Sequence, residues 1–386
     1  MSILWLAVAA FAIGTEAFVI AGLLPVIAAD LQISLAATGQ LVTAYALTYA
    51  IGSPILAVTF NNLDRRTVLT LALGCFIAGN LLAVVAASFA MLLASRMLMA
   101  VGAGLCMPTA LAVAVAIASP ERRGRAIALV TSGLTVATVL GVPLGTWIGS
   151  HYGWRATFIL VAGLGAIALA GLLFGLPRGL PRATATMAQR LAVARRSAVL
   201  HALSVTALWG IGGFTVFTYL AVPLHGLGFG PTEISLALLV FGIAAAIGNM
   251  LGGTLADRIG PAPTATLGLV VAMMALMLQS VALKYLSPEH ARPVFLSLIF
   301  FQGIGGWMFY PGQVANLVHL EPQAPMIALS LNASAMYLGF AIGGALGGLV
   351  LTGLSPDDLG WVGGCGVAAA LAGVLLRGWQ RQLKTA

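Results

Sequence analysis

The chain has 386 residues, 60% of them drawn from A, V, I, L, M, F, W, Y and C and only 7% charged, with a mean hydropathy of +1.05. A water-facing shell needs roughly a quarter charged residues, so a soluble enzyme, a nucleic-acid binder and a secreted disulfide scaffold are excluded and a bilayer is the expected solvent. The formal charge of +8 does not point to nucleic acid, because the basic residues are scattered through short loops on one side of the expected membrane.

About 20 apolar residues cross a bilayer as a helix. Breaks at charged, Pro-rich or Gly-rich points give twelve such spans, and no alternating ten-residue pattern of a membrane barrel occurs. In chain order they are expected over 3–28, 36–60, 66–86, 89–118, 124–149, 154–176, 199–223, 233–256, 262–284, 291–318, 325–353 and 359–378. The first contains Glu16 and has no small-residue cleavage site after a short apolar core, so it is expected to remain as a span rather than to be removed as a signal peptide. Residues 177–197 hold Arg178, Arg182, Arg190, Arg195 and Arg196 and form the candidate linker between two domains, 1–176 and 198–386, of six spans each. The fold class is therefore all-α integral membrane. Cys75, Cys106 and Cys365 lie far apart inside apolar stretches and read as buried small hydrophobes.

Sorting the 18 Lys and Arg residues by alternating loop places fourteen on one side, three (Arg155, Lys284 and Arg292) on the other, and Arg96 inside a span. Short loops rich in Lys and Arg stay in the cytoplasm, so both termini and the linker are expected there. The two halves also repeat. Asp64, in the turn after the second span, aligns with Gly260, in the turn after the eighth, at an offset of 196; Gly141, Gly145 and Gly149 of the fifth span align with Gly339, Gly343 and Gly347 of the eleventh at an offset of 198. Such parallel six-helix repeats make two pseudo-symmetric bundles in transporters, with the substrate site at their interface.

Glycine at every fourth position bares one helix face for close approach. Two uses fit these stripes: static packing, or smooth faces on which the two halves meet and rock, with Pro143 allowing a local bend. Ionisable residues inside the hydrocarbon are costly and point to function, and Glu16 and Arg96 are the two found here. Glu16 is flanked along its helix face by Ala12, Ile13, Val19 and Ile20, surroundings that disfavour a charged carboxylate and suit a group that loads and releases a proton. Arg96 stays charged and needs an acceptor: Glu16, backbone carbonyls or water would each serve. Asp257, Arg258 and Gly260 combine a carboxylate, a guanidinium and a helix-breaking glycine in one turn, the parts of a conformational latch.

Polar and aromatic side chains within spans are expected to line a substrate cavity: Tyr45 and Tyr49 in the second, Trp209 and Tyr219 in the seventh, Gln302, Trp307 and Tyr310 in the tenth, Asn332 and Tyr337 in the eleventh, with Gln40, Thr43, Thr215 and Gln313 beside them. A path that is apolar and aromatic, with a single acid, suits a neutral or weakly cationic small molecule. The two lysines, Lys284 and Lys384, each follow a leucine, so no phosphate-binding GxxxxGK[ST] loop exists and a proton gradient is the simplest energy source. The histidines lack a second ligand at i+3 or i+4, and no metal site is expected.

Together these residues resemble the major facilitator superfamily over the whole chain. The loop pattern GxLaDrxG of that family is matched by Gly253, Leu255, Ala256, Asp257, Arg258 and Gly260. The first-half copy departs from it, with Ala57 and Asp64 at glycine positions and Asn61 at the usual Asp, and keeps the basic end in Arg65 and Arg66. Arg96 through Gly104 is similar to the fourth-span RxxqGxgxx pattern, whose arginine the family associates with proton transfer. Gly141-Val142-Pro143-Leu144-Gly145 resembles the antiporter motif in its GxPLG form, and Gly14-Thr15-Glu16-Ala17-Phe18 with Gly22-Leu23-Leu24-Pro25 resembles the first span of the twelve-helix drug:proton antiporter branch, which includes bacterial sugar-efflux and drug-efflux members.

The resemblance implies proton-coupled efflux of drugs, sugars or related metabolites across the inner membrane by alternating access. Glu16 would be the proton site, Arg96 its electrostatic modulator, Gly141, Pro143 and Gly145 the hinge or interface, and Asp257 with Arg258 the cytoplasmic latch. The expected partners are a small-molecule substrate, protons and the bilayer, with no cofactor, no nucleic acid and a monomeric state. A proton-linked importer of the same fold and a passive channel or non-transporting receptor are the rivals; no nucleophile-and-base constellation supports an enzyme.

Overall fold

The structure is a computed structural model that describes residues 2–119, 122–177, 179–180 and 186–385, with the side chains of the last helix described through 376. Arg178 and Arg182, and the side chains of Arg377, Arg381 and Lys384, lie outside the described residues.

Twelve helices are long and apolar enough to cross a membrane: Ser2–Leu31, Leu35–Thr59, Arg65–Val84, Phe89–Ile117, Arg123–Tyr152, Trp154–Gly175, Ser197–Gly226, Pro231–Ile259, Pro261–Tyr285, Pro288–Leu320, Pro325–Gly353 and Pro356–Leu376. Every boundary falls within three residues of the sequence-based one. The agreement has a physical cause. In hydrocarbon each backbone polar group must be satisfied inside its own segment, so an apolar run of this length has no alternative to a helix. The ends are built differently along the chain. Ser34, Asp64 and Ser88 cap the second, third and fourth spans by accepting from the backbone N–H of Ala37, Arg66 and Met91, whereas the eighth to eleventh spans start with a proline in the first turn. Gly153 (φ 86°) and Gly260 (φ 94°) each join two spans as a one-residue turn, in a backbone region that glycine enters without strain.

The contacts divide into two compact units, Met1–Met187 and Ala188–Ala386. Within the first unit, the first span packs against the fifth and sixth and touches the second and fourth, while the third packs on the fourth and sixth. Within the second, the seventh span packs against the eleventh and twelfth, and the tenth against the eighth and ninth.

The glycine stripes decide between the two uses weighed for them. A Cβ at Gly141 would fall inside the Thr15 side chain, one at Gly145 would stand 2.7 Å from Val19 Cγ2, and one at Gly149 would collide with Leu23, so the fifth-span stripe is filled by the first span of its own unit. Gly339, Gly343 and Gly347 likewise face the seventh-span backbone at Ala207, Ile211 and Thr215. The expectation that these faces form the meeting surface of the two halves is thus corrected: they are intra-unit seams, where lack of a side chain lets backbones touch. Beside the first seam, Ala137–Gly141 forms a single wide π-type turn closed by a bond from the Val142 N–H to the Ala137 carbonyl, immediately before Pro143. A proline that removes the next donor follows an irregular turn, which locates the bend.

Part of the candidate linker is ordered, and one expectation about the cysteines changes. Met187–Ala194 is a short helix whose Val193 packs with Val199, Ala202, Leu203, Leu317 and Ala328. Its Arg190 donates to Ser330 Oγ at 2.9 Å, and the following Arg196 pairs with the buried Glu321 at 2.5 Å. Cys365 is exposed on the last span rather than buried, and Cys75 is half-buried.

Candidate functional site

In the first unit, helix positions that are far apart in sequence bring the two embedded charges together. Glu16 and Arg96 are both wholly buried, and the Arg96 guanidinium donates directly to the Glu16 carboxylate. The same guanidinium reaches the Glu16 backbone carbonyl at 3.3 Å and the Leu41 carbonyl at 3.4 Å, and it lies over the Tyr45 ring at 4.4 Å from the centroid. Of the acceptors left open for Arg96, the structure supplies the carboxylate and two carbonyls at once, with an aromatic face as a fourth neighbour. The second Glu16 oxygen has no hydrogen-bond partner among the described residues. The neighbouring Thr15, also wholly buried, inserts its hydroxyl into the notch left by Gly141 at the π-type turn. Carboxylate, guanidinium and irregular turn are therefore contiguous.

This arrangement can do one chemical thing well. A carboxylate and a guanidinium in contact offset each other's charge; when the carboxylate takes a proton, Arg96 keeps two carbonyls and a ring, so its charge is not stranded in an apolar interior. Tyr49, also proposed for the cavity, is buried one helical turn from Tyr45.

Among the described residues, the spans of the second unit hold no such pair. Its centre is aromatic: Trp209 stands 5.2 Å from Phe309, 6.1 Å from Phe340 and 6.2 Å from both Trp307 and Tyr310, ring centroid to centroid, and Tyr337 meets Phe340 edge-on at 5.4 Å. Next to this cluster Thr206 donates to the Asn332 side-chain oxygen at 2.7 Å, and Gln313 donates to Thr206 at 3.0 Å and to the Ala202 carbonyl at 2.5 Å. Two residues expected in the cavity are instead packing groups. The Tyr219 hydroxyl donates to the Gly344 carbonyl at 2.9 Å and its ring fills the space above Gly347, while Gln302 accepts from Gln279 at 2.8 Å, tying the tenth span to the ninth. Thr206 escaped the sequence reading; a threonine in a span usually satisfies its hydroxyl on its own helix, and only its facing amides mark it.

The loop motifs have unequal fates. Asp64 caps the third span and Arg66 donates to the Leu173 carbonyl, so the first-half turn is tied down within its unit. In the second half Gly253 faces open space, Asp257 and Arg258 are exposed, and among the described residues neither is in an ion pair. At the arginine-poor ends of the spans all three basic residues are compensated: Arg155 pairs with Asp30 at 2.7 Å, Lys284 with Asp358, and Arg292 stands 3.8 Å from Glu233.

Comparison with known proteins adds to this geometry. The Major Facilitator Superfamily profile matches residues 6–226 and 220–382. The chloramphenicol resistance protein of Streptomyces lividans is 35% identical over 374 residues, which cover 95% of this chain and 93% of that protein. The inner membrane transport protein YdhP of Escherichia coli K12 is 34% identical over 352 residues, 91% of this chain and 88% of its own. A D-xylose-proton symporter of known structure shares the fold, with a TM-score of 0.80 over 96% of each chain at 17% identity.

Proposed function

This chain belongs to the Major Facilitator Superfamily, and from that premise we propose that it exports small molecules across the inner membrane in exchange for entering protons. It is a multi-pass membrane transporter and not an enzyme. The observation that carries the proposal is the wholly buried Glu16–Arg96 pair over Tyr45. It is the one embedded carboxylate in the described spans, and it has a cation that can release it to a proton without being left unsolvated. Protonation of Glu16 would loosen the first span from the fourth, next to the seam with the fifth span, where the π-type turn and Pro143 permit a bend. Proton occupancy would thereby bias one packing of the first unit over another. Export rather than import is supported by the GxPLG segment and by the relative named for chloramphenicol resistance. An uncharged compound such as chloramphenicol, or a sugar-like metabolite, fits a path with one compensated acid. Cytoplasmic termini are supported by the fourteen-to-three distribution of basic residues.

The test is uptake of labelled chloramphenicol, pentoses and thiogalactosides into inverted vesicles containing the full chain. Uptake of at least one is expected to require an acidic interior, and Glu16→Gln to abolish that requirement together with accumulation while the protein still inserts at normal level. Accumulation that survives collapse of the gradient, or pH-dependent transport unchanged in Glu16→Gln, would reject the proposal; gradient-driven release from the vesicles would make the chain an importer.

A further inference from the structure

We infer that Arg190 of the linker helix, together with Ser330 of the eleventh span, is a binding site for a phosphate group, carried by a small anion or by an anionic lipid. The inference is independent of the export reading, because its residues and its test lie apart from Glu16 and Arg96.

The fold treats two arginines of the linker differently. The Arg196 side chain is 58% exposed and still has a carboxylate, the buried Glu321 at the end of the tenth span, at 2.5 Å. Arg190 is 9% exposed and, among the described residues, has none. One terminal nitrogen donates to Ser330 Oγ at 2.9 Å, and its buried Nε has no hydrogen-bond partner. Burial draws this guanidinium below its usual pKa, but arginine keeps its proton, so a full positive charge is held by a neutral hydroxyl. Such a charge is costly without a counter-ion. Of the described acids at the same ends of the spans, Glu321 is taken by Arg196, Asp64 caps the third span of the other unit, and Asp257 is in no ion pair. The chain itself does not answer Arg190.

The burial is imposed by the way the helix docks. Arg190 and Val193, three residues apart, share the face laid on the second unit, and Val193 packs with Val199, Ala202, Leu203, Leu317 and Ala328. Leu191 stays exposed on the other side. A helix that buries an arginine and leaves a leucine outside is not placed by apolar burial alone.

The donors beside Arg190 define the missing ligand. Ser330 and Ser334 are four residues apart on one face of the eleventh span, and the Ser334 hydroxyl is buried without a hydrogen-bond partner. A guanidinium fork can take two oxygens of either a carboxylate or a phosphate. A phosphate has further oxygens for hydroxyls approaching from another side, whereas a carboxylate is used up by the fork. Ser330 lies in the second turn of its span, a depth that both a soluble phosphate and a lipid headgroup reach.

The experiment follows hydrogen exchange of the Met187–Ala194 amides in the purified full chain in two arms. One adds inorganic phosphate, radiolabelled for equilibrium binding, at constant ionic strength in neutral detergent. The other compares vesicles of phosphatidylcholine with and without phosphatidylglycerol. Saturable slowing of exchange is expected in at least one arm: with bound phosphate it assigns a soluble phosphate, and with phosphatidylglycerol a lipid headgroup. In the responding arm Arg190→Gln should weaken the response about tenfold, the size of one hydrogen bond to a charged group, and Ser330→Ala about threefold. Arg195→Gln removes the same charge from an exposed position of the same stretch and should leave the response within about twofold, since water screens that site. Ser330→Ala keeps the charge and reads the site even if Arg190→Gln undocks the helix. No response in either arm, equal losses in Arg190→Gln and Arg195→Gln, or a response unchanged in Ser330→Ala each overturns the assignment.

Discussion

The two units share a plan and differ in what they place at its centre. In each, a span beginning its unit packs a glycine-bearing face of the fifth of its six spans, at Gly141 and Gly145 in one and at Gly339 and Gly343 in the other. At the centre of the first lies a carboxylate–guanidinium pair; at the centre of the second lie a hydroxyl and two amides beside a tryptophan-centred aromatic cluster. A duplicated scaffold has therefore kept its backbone seams and diverged in the groups that respond to charge. On the proposed reading the centre of the first unit would sense a proton and that of the second would hold something uncharged, and that division can be broken or sharpened by substitution.

The largest expected effect is in the charged centre. Arg96→Met should destabilise the protein by about 3–5 kcal/mol, because it strands Glu16 in an apolar interior, read as a fall in melting temperature in detergent. Glu16→Gln should cost far less, since Arg96 retains the Leu41 and Glu16 carbonyls and the Tyr45 ring, and the double variant Glu16→Gln/Arg96→Met should be more stable than Arg96→Met alone. Equal melting points for the two single variants would show that the pair is not the asymmetric device described.

The seams come next. A Cβ at Gly343 would meet backbone, 2.5 Å from the Ile211 carbonyl oxygen and 3.0 Å from the Thr215 nitrogen, which cannot yield without moving a helix. At Gly145 the obstacles are the side-chain methyls of Val19 at 2.7 Å and Thr157 at 3.1 Å. Gly343→Ala should then cost about 1–3 kcal/mol and Gly145→Ala less; the reverse order of melting points would mean that backbone contact at Gly343 is not the harder obstacle. Smaller again is the uncharged trio, where Thr206→Val should lower stability by about 0.6 kcal/mol, the usual worth of a hydrogen bond between membrane helices. A loss as large as that of Arg96→Met would erase the contrast between the units.

How much of this was legible in the sequence follows from what each feature depends on. The spans were legible because lipid leaves an apolar segment one way to satisfy its backbone. Close approach at the glycine stripes was legible too, but its partner was not: spacing within one helix says that a face is bare and nothing about which helix fills it. For the same reason Arg96 kept three possible acceptors until the first, second and fourth spans were packed together. Tyr219 and Gln302 were misassigned because a polar group inside a span reads alike whether it faces a path or a neighbouring helix. Thr206 was invisible, as was the π-type turn, for which Pro143 was the single hint.

The arginine-poor ends offer the gentlest test, and it bears on orientation. Arg155 bridges Asp30 and the Ala86 carbonyl while its guanidinium lies 4.1 Å over the Trp154 ring, and Trp154 itself donates to Asp30 at 2.9 Å. The Arg155 and Asp30 side chains are 37% and 44% exposed, so water screens the attraction and Arg155→Gln should lower stability by about 0–1 kcal/mol. Its topological effect is of a different kind. Asp30 neutralises Arg155 in the folded protein, but short loops are oriented by their Lys and Arg content as the chain inserts, before tertiary pairs form, and acidic residues count for little then. Removing one of three basic residues from a side already outnumbered by fourteen should leave the wild-type orientation, read by a reporter fused to the C-terminus, no less uniform, whereas loss of Arg122, Arg123 and Arg125 with Arg155 retained should begin to mix it. A reporter that turns outward in Arg155→Gln alone would contradict cytoplasmic termini, and with them the direction assigned to the proton entering at Glu16.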